Sequence, residues 1–337
     1  MELVIWAVIF LISLAFVVKG ADWFLDGAEK IGRSAGLSSF VIGIVIVGLG
    51  TSLPELVAAF AAIFHGATEL VAANVVGSNI ANILLIVGLA AAVGGKLSVS
   101  KNLIDLDIPL LTIATVFGVA VMIDGVVMPL EAVFLLASFV VFLLYAVRNG
   151  GTGEDAEEVR QLFSFSRRRP TIEITSIGDD PKLERAPHKV TVRDFVWLFI
   201  GLTALVFGGR YLVESVVTIA GILQIAVGAI TLVAVAVGTS LPELAVSMKA
   251  ALQGKHEVAL GNIFGSNVFN ILLVLGLPGL FGPMIVDSPT YLIGLPVMIA
   301  ATFFFVLSGM SRRVHSYEGA LYLLIYIFFI GKLFGLL

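Results

Sequence analysis

The sequence contains no cysteine, which excludes disulfide bonds, thiol chemistry and cysteine-ligated metal centres. Charged residues are scarce as well: they make up 13% of the chain, against about 25% in soluble domains. The four histidines show no spacing typical of a metal site, and the sequence has no nucleotide-binding motif. These absences argue against a soluble protein, a histidine-ligated metal centre and a transporter driven by nucleotide hydrolysis.

Apolar residues take the place of the missing charges. They make up 59% of the chain, the mean hydropathy is +1.07, and they form runs of about the 20 residues with which a helix crosses a bilayer. The first run lacks the basic residues that precede a signal sequence and is interpreted as a retained helix. The sequence therefore predicts an all-α membrane protein. Ten transmembrane helices are predicted, at residues 3–24, 38–64, 69–93, 103–123, 128–148, 194–215, 223–252, 257–280, 289–309 and 317–336.

Lysine and arginine are unevenly distributed among the connections between these spans. They occur in the connections that follow odd-numbered spans, including the long polar segment 149–193, and the alternate connections are nearly free of them. The positive-inside rule then places the odd-numbered connections in the cytoplasm and both termini outside. We expect a first five-helix repeat at 1–148, a cytoplasmic linker loop at 149–193 and a second five-helix repeat at 194–337.

The two halves share two motifs. Gly-Thr-Ser-Leu-Pro-Glu occupies residues 50–55 and returns letter for letter at 238–243, a shift of 188 residues (243 − 55). The same shift relates two copies of Asn-x-x-Gly-Ser-Asn-x-x-Asn, at 74–82 and 262–270. Because five spans per half is an odd number, the second half must enter the membrane in the opposite sense. Such inverted repeats are typical of secondary transporters, whose sites lie where broken helices of the two halves meet.

The first motif places a proline and a carboxylate in the middle of an apolar span. Pro54 has no N–H to donate to the carbonyl of Gly50, so the second helix is predicted to be broken there. Pro242 predicts the same for the seventh helix. Thr51 and Glu55 are four residues apart and therefore share a helix face.

The second motif places a polar stripe on an otherwise apolar helix: Asn74, Ser78 and Asn82 recur at every fourth position. Gly77, and Gly265 in the other copy, lie beside the serines and allow the backbone of another helix to approach closely. Oxygen ligands of this kind suit hard cations such as Ca²⁺ and Na⁺, and two carboxylates neutralise one divalent cation. We predict one small pocket between the four helices, with its charge from two glutamates. The predicted ligands are Glu55, Glu243, Thr51, Ser52, Ser78, Asn82, Thr239, Ser240, Ser266 and Asn270.

A purely structural role for these motifs is the alternative. Prolines kink membrane helices, and polar stripes hold helices together by about 0.6–2 kcal/mol. However, a carboxylate near the bilayer centre costs roughly 2.5–3.5 kcal/mol on insertion scales, and two at corresponding positions favour a functional role. For Lys19, Asp22 and Asp26, near the end of the first span, interfacial anchoring is preferred over a place in the ion path.

At these motifs the sequence resembles the alpha repeats of the sodium/calcium exchanger family, within the calcium/cation antiporter superfamily, over residues 48–82 and 236–270. The resemblance implies the same ligands, with the backbone carbonyls of Gly48 and Ala236 added. It also implies exchange of Ca²⁺ for Na⁺ by alternating access, in which the first and sixth helices slide past a static core. We therefore expect Ca²⁺, Na⁺ and the lipid bilayer as partners, with no prosthetic group, no nucleic acid and no obligate protein partner. The expected location is a prokaryotic plasma membrane.

One position departs from the family pattern. Many relatives carry Asp where this chain has Asn270, and in potassium-dependent members that acid is associated with K⁺ binding, so the asparagine argues against K⁺ co-transport. Proton-coupled relatives carry a glutamate in the second motif, which this chain lacks in both copies. Coupling to H⁺ is the second hypothesis. A gated cation channel and an intramembrane hydrolase are less favoured, the latter because no His or Asp lies near the motifs to activate a hydroxyl.

Overall fold

A computed structural model describes residues 2–94, 96–98, 108–149, 190–222, 238, 240–311, 313–333 and 335, and this part of the chain is mainly helical. Most of the predicted linker and the first part of the predicted seventh span lie outside the described residues. Some membrane helices contain short π-helical or irregular turns, and each of these is treated as one continuous helix. The helices are α1 (Glu2–Ser34), α2 (39–64), α3 (69–94), α4 (Ile108–Met122), α5 (Pro129–Asn149), α6 (Val192–Ile222), α7 (Leu241–Leu252), α8 (256–279), α9 (290–310) and α10 (Ser316–Leu333).

The helices make this an integral membrane protein. Eight of the described helices are long and apolar enough to cross a bilayer. The other two are α4, which has 15 described residues, and α7, which has 12. Residues 101–107 before α4 and most of the residues 223–239 before α7 are not described, so ten spans remain a prediction.

Two helices are longer than predicted. The hydropathy pattern ends the first span at residue 24, but α1 continues to Ser34, and α6 extends beyond both ends of its predicted range. Charged residues on the added turns of α1 form ion pairs: Glu29 lies 2.9 Å from Lys255, and Lys30 lies 3.9 Å from Asp194. Hydropathy marks only the apolar part of α1, whereas the helix itself continues through polar turns whose charges are paired.

Helices α1 and α6 pack against each other through small residues. Gly20 touches the backbone of Gly201, and Gly208 touches the backbone of Ser13. The contacts run in opposite directions along the two helices, so the pair is antiparallel, and the shift of 188 converts one contact into the other. A Cβ atom at Gly20 would lie 2.9 Å from the carbonyl oxygen of Gly201, so this crossing requires glycine.

Two short antiparallel sheets join the halves at the helix ends. β1 (Lys96–Ser98) pairs with β4 (Arg313–His315), and β2 (Val126–Val127) pairs with β3 (Met284–Ile285). Each sheet therefore takes one strand from each half of the chain.

The shift of 188 exchanges the two sheets without changing their register. Leu97 faces Val314 in one sheet, and Val126 faces Ile285 in the other. Adding 188 to Leu97 gives position 285, and adding it to Val126 gives position 314. The repeat seen in the motifs therefore extends to the backbone pairing between the halves.

The bundle is organised around two buried helices. Helix α8 is buried almost throughout and α3 over most of its length, whereas α1, α5 and α10 expose large apolar side chains such as Leu11, Leu130 and Phe328. Exposed apolar surface of this extent suits contact with lipid. The first part of α2 lies directly on α8, since a Cβ atom at Gly265 would lie 2.7 Å from the carbonyl oxygen of Ile44. This close approach confirms the spacing role predicted for Gly265.

Candidate cation site

Helix α2 is broken where the first motif predicts. Its backbone leaves the helical region at Ser52 (φ −83°, ψ 2°), and a new segment, Leu53–Phe64, begins with Pro54 in its first turn. Proline is well placed there because the first N–H groups of a helix have no intrahelical partner. Glu55 therefore lies in the first turn of this segment, where the positive end of the helix dipole stabilises a carboxylate.

The second copy of the motif has the same local structure in its described part. Ser240 has similar backbone angles (φ −89°, ψ 10°), and α7 begins with Pro242 and Glu243 in its first turn. The two glutamates are 1% and 0% exposed. Each is thus a buried carboxylate held at the N-terminus of a short helical segment.

Side chains from the two halves meet at these breaks. The hydroxyl of Ser52 donates a hydrogen bond of 3.3 Å to Oε1 of Glu243, and the hydroxyls of Thr51 and Ser266 also interact with this carboxylate. Thr51 Oγ1 and Ser266 Oγ lie 3.3 Å apart, and both can donate to the carbonyl of Gly48, at 3.3 and 3.4 Å. The structure therefore brings five predicted ligands together: Gly48, Thr51, Ser52, Glu243 and Ser266.

Many other polar atoms of the described ligands are buried and make no hydrogen bond to any described residue. Buried polar atoms without partners are rare in folded proteins because each costs free energy, so a group of them among the predicted ligands indicates a site for a bound species. They are Oε1 and Oε2 of Glu55, Oγ of Ser78, both amide atoms of Asn82, Oγ of Ser240, Oε2 of Glu243 and both amide atoms of Asn270.

Two of these residues lie where a helix changes its winding. Helix α3 turns π-helical over Ala81–Val87, and α8 does so over Asn270–Val274. Short π-helical segments are frequent at functional sites because they re-aim side chains within a helix. Asn82 and Asn270 lie at the start of these segments, a feature that the regular spacing of the stripe did not predict.

Two predicted ligands, Ala236 and Thr239, lie outside the described residues. So does the segment that the shift of 188 would bring against Gly77. Among the described residues no group of three or more His, Cys, Asp or Glu side chains could hold a metal ion. A cation here would be held by two carboxylates together with neutral oxygens. That set can reach the six to eight oxygens of Ca²⁺ or, divided differently, serve several Na⁺ ions.

Sequence reasoning missed one part of the site. Asn262, the first residue of the second stripe, belongs to the motif but is absent from the predicted ligand set. Its amide contacts Thr51, Ser247 and the backbone of Glu243. The signal that could have pointed to it is the position of Ser247, four residues after Glu243 on the same face of α7.

Comparison with known families gives a match over nearly the whole chain. The family described as "Sodium/calcium exchanger protein" matches residues 5–148 and 194–334.

Similar proteins match end to end. The chain is 35% identical to the sodium/calcium exchanger MaX1 of Methanosarcina acetivorans, over 97% of each chain. It is 34% identical to the putative antiporter CaxA of Alkalimonas amylolytica, over 94% of this chain and 95% of that protein. Among solved structures, the sodium-calcium exchanger NCX_Mj soaked with zero Na⁺ and Ca²⁺ superposes with a TM-score of 0.79 at 29% identity, over 98% of this chain and 99% of that one.

Proposed function

This chain belongs to the sodium/calcium exchanger family, whose members are transporters rather than enzymes, and we propose that it exchanges Ca²⁺ for Na⁺ across the membrane by alternating access. Membership supports a cation/Ca²⁺ antiporter in general. The choice of Na⁺ as the counter-ion, the ligand set and the transport mechanism are the proposal.

The observation that carries the proposal is the group of unpartnered polar atoms around two buried carboxylates. Glu55 and Glu243 come from opposite halves of the chain and interact electrostatically. Without a cation their repulsion and desolvation are uncompensated, whereas one Ca²⁺ balances both charges. Na⁺ ions that use the same carboxylates compete with Ca²⁺, and competition for shared ligands produces exchange.

The choice of Na⁺ over H⁺ rests on the neutral residues of the pocket. Neither stripe contains an acid, and Asn270 is an amide. Proton-coupled relatives carry a glutamate in the second motif, and its absence from both copies here supports Na⁺ as the counter-ion. Protons could also compete with Ca²⁺ for the two carboxylates, so H⁺ is the second candidate counter-ion.

The strand pairing supports an inverted arrangement of the halves. β1 follows α3 and β2 follows α4, so the predicted span α4 would place the two strands at opposite faces of the membrane. The shift that relates the halves converts the β1–β4 sheet into the β2–β3 sheet. It therefore exchanges the two faces of the membrane, as a two-fold axis in the membrane plane does.

The packing of α1 with α6 supports their movement as a unit. They contact each other through glycines along a long antiparallel crossing, whereas a side-chain ion pair of 2.7 Å between Asp22 and Lys249 links α1 to α7. A partly exposed ion pair is worth about 1 kcal/mol or less, so it can break and re-form during a cycle. This pairing also favours the anchoring role for Asp22. We place both termini outside and the linker in the cytoplasm of a prokaryotic cell.

The proposal is tested by binding before transport. Isothermal titration of the purified protein in detergent, with Ca²⁺ in a K⁺ buffer, is expected to show one saturable site. Replacing K⁺ with Na⁺ is expected to weaken Ca²⁺ binding in a concentration-dependent manner, because Na⁺ occupies the same oxygens. Equal Ca²⁺ affinity in Na⁺ and K⁺ buffers would contradict Na⁺ exchange at this site.

A further inference from the structure

We propose that Asn262 and Ser247 are positioning residues that turn the hydroxyl of Thr51 into a cation ligand. This inference rests on the proposed function, since it concerns how the exchange site is held. Neither residue contributes an atom to the predicted ligand set, and both are fully buried.

The hydrogen bonds of Asn262 link three parts of the site. Thr51 Oγ1 donates to Asn262 Oδ1 at 3.0 Å, and Asn262 Nδ2 donates to Ser247 Oγ at 2.8 Å and to the carbonyl of Glu243 at 3.4 Å. The amide thus connects α2 to α7 from its place on α8. A carbonyl oxygen can only accept, so Nδ2 rather than Oδ1 faces Glu243, but at 3.4 Å this contact holds the amide weakly by itself.

The position of the Thr51 proton decides whether this hydroxyl can bind a cation. A hydroxyl binds a cation through its lone pairs, so its single proton must point away from the ion. The Glu243 carboxylate and the Gly48 carbonyl attract that proton toward the pocket side. Asn262 Oδ1 accepts at 3.0 Å, a shorter distance than the 3.3 Å to the Gly48 carbonyl, and lies outside the ligand set. When a cation repels the hydroxyl proton, the hydroxyl donates it in a hydrogen bond to Asn262 Oδ1, and the lone pairs of Thr51 Oγ1 face the ion.

Ser247 keeps the Asn262 amide in the orientation that does this. Its hydroxyl is the nearer of the two acceptors for Nδ2. Without it, Nδ2 retains only the 3.4 Å contact to the Glu243 carbonyl, and the amide is free to rotate. A rotated amide would present N–H groups to Thr51 and force the threonine proton back toward the pocket.

The first half of the chain lacks this arrangement. The shift of 188 relates Asn262 to Asn74 and Ser247 to Ala59, which has no hydroxyl. Accordingly Nδ2 of Asn74 is buried and has no hydrogen-bond partner among the described residues. The two halves are therefore unequal at this point, since the position that corresponds to Ser247 has no hydroxyl.

The test compares substitutions at Ser247 that differ only in the hydroxyl. Ser247→Thr and Ser247→Val have nearly the same shape, but only threonine accepts a hydrogen bond, and Ser247→Ala removes the hydroxyl without adding volume. We expect Ala and Val to raise the KM for Ca²⁺ in proteoliposomes by about fivefold, the effect of one lost hydrogen bond. We expect Vmax to stay within about twofold of wild type, because ion binding rather than helix movement is impaired. The Ser247→Thr variant should keep a KM close to that of the wild type.

Ser308→Ala is the matched control. Ser308 is also a buried serine that bonds a neighbouring helix, through the Tyr322 hydroxyl at 2.8 Å, but it has no contact with the site. It should lower the thermal unfolding midpoint about as much as Ser247→Ala and leave KM unchanged. A wild-type KM in Ser247→Ala, or equal impairment of the Thr and Val variants, would overturn the positioning role. Absence of Na⁺-dependent Ca²⁺ transport in the wild type would instead overturn the proposed function.

Discussion

The hydroxyl of Ser52 lies 3.3 Å from Oε1 of Glu243, so the first motif of one half directly contacts the carboxylate of the other. The two residues are 191 positions apart in sequence. The contact exists because both helices break at the motif and expose their first-turn side chains to each other. An ion bound at these motifs would therefore be held by both halves of the chain.

Neutralising either glutamate should abolish Ca²⁺ binding. Glu55→Gln or Glu243→Gln removes half of the compensating charge from a fully buried site while retaining the size of the side chain. Breaking a buried charge pair costs about 3–5 kcal/mol, so Ca²⁺ affinity measured by titration calorimetry should fall at least about 100-fold.

Glu131→Gln is the control for this pair of variants. Glu131 accepts a hydrogen bond from the Met128 N–H at the start of α5, and it lies outside the candidate site. Its neutralisation should leave Ca²⁺ affinity unchanged. Normal Ca²⁺ binding in either site variant would show that the carboxylates do not hold the ion.

Replacing Asn270 with Asp should make transport sensitive to pH or K⁺. Asn270 is fully buried, and neither of its amide atoms has a partner among the described residues, so a new carboxyl there would join the two existing carboxylates. At low pH the acid is protonated and resembles the amide, so the variant should approach wild-type behaviour. As pH rises the added charge should appear and the difference from wild type should grow. Identical pH and K⁺ profiles of Ca²⁺ uptake in both proteins would argue against a place for Asn270 in the pocket.

The α1–α6 crossing should not tolerate even one added methyl group. A Cβ atom at Gly201 would clash with the backbone of Phe24, so Gly201→Ala should destabilise the protein by about 1–3 kcal/mol through overpacking. Gly221→Ala on the same helix provides the comparison, since no described residue lies within 4 Å of its Cβ position. There alanine should be neutral or slightly stabilising, as expected for an unhindered helix. Thermal unfolding of the two variants measures the difference, and equal midpoints would contradict this packing.

The sequence predicts the helices, the break in α2 and the meeting of the two motifs, because each depends on local chemistry. Pro54 interrupts the hydrogen bonding of α2 because it has no N–H to donate, and the repeated motif indicates which helices face each other. The length of α1 could not be predicted from hydropathy, since its last turns are polar, and their partners Lys255 and Asp194 are distant in sequence. The relay through Asn262 could not be predicted either, because hydropathy and spacing do not show which amide atom faces which partner.

The central claim is tested most directly by ⁴⁵Ca²⁺ uptake into proteoliposomes loaded with Na⁺, K⁺ or acid in turn and diluted into buffer without the loaded ion. Na⁺-driven exchange predicts uptake only in the Na⁺-loaded vesicles and its loss in Glu243→Gln. Uptake driven by the proton gradient alone would contradict Na⁺ coupling, and equal uptake under all three gradients would contradict an antiporter and indicate a channel.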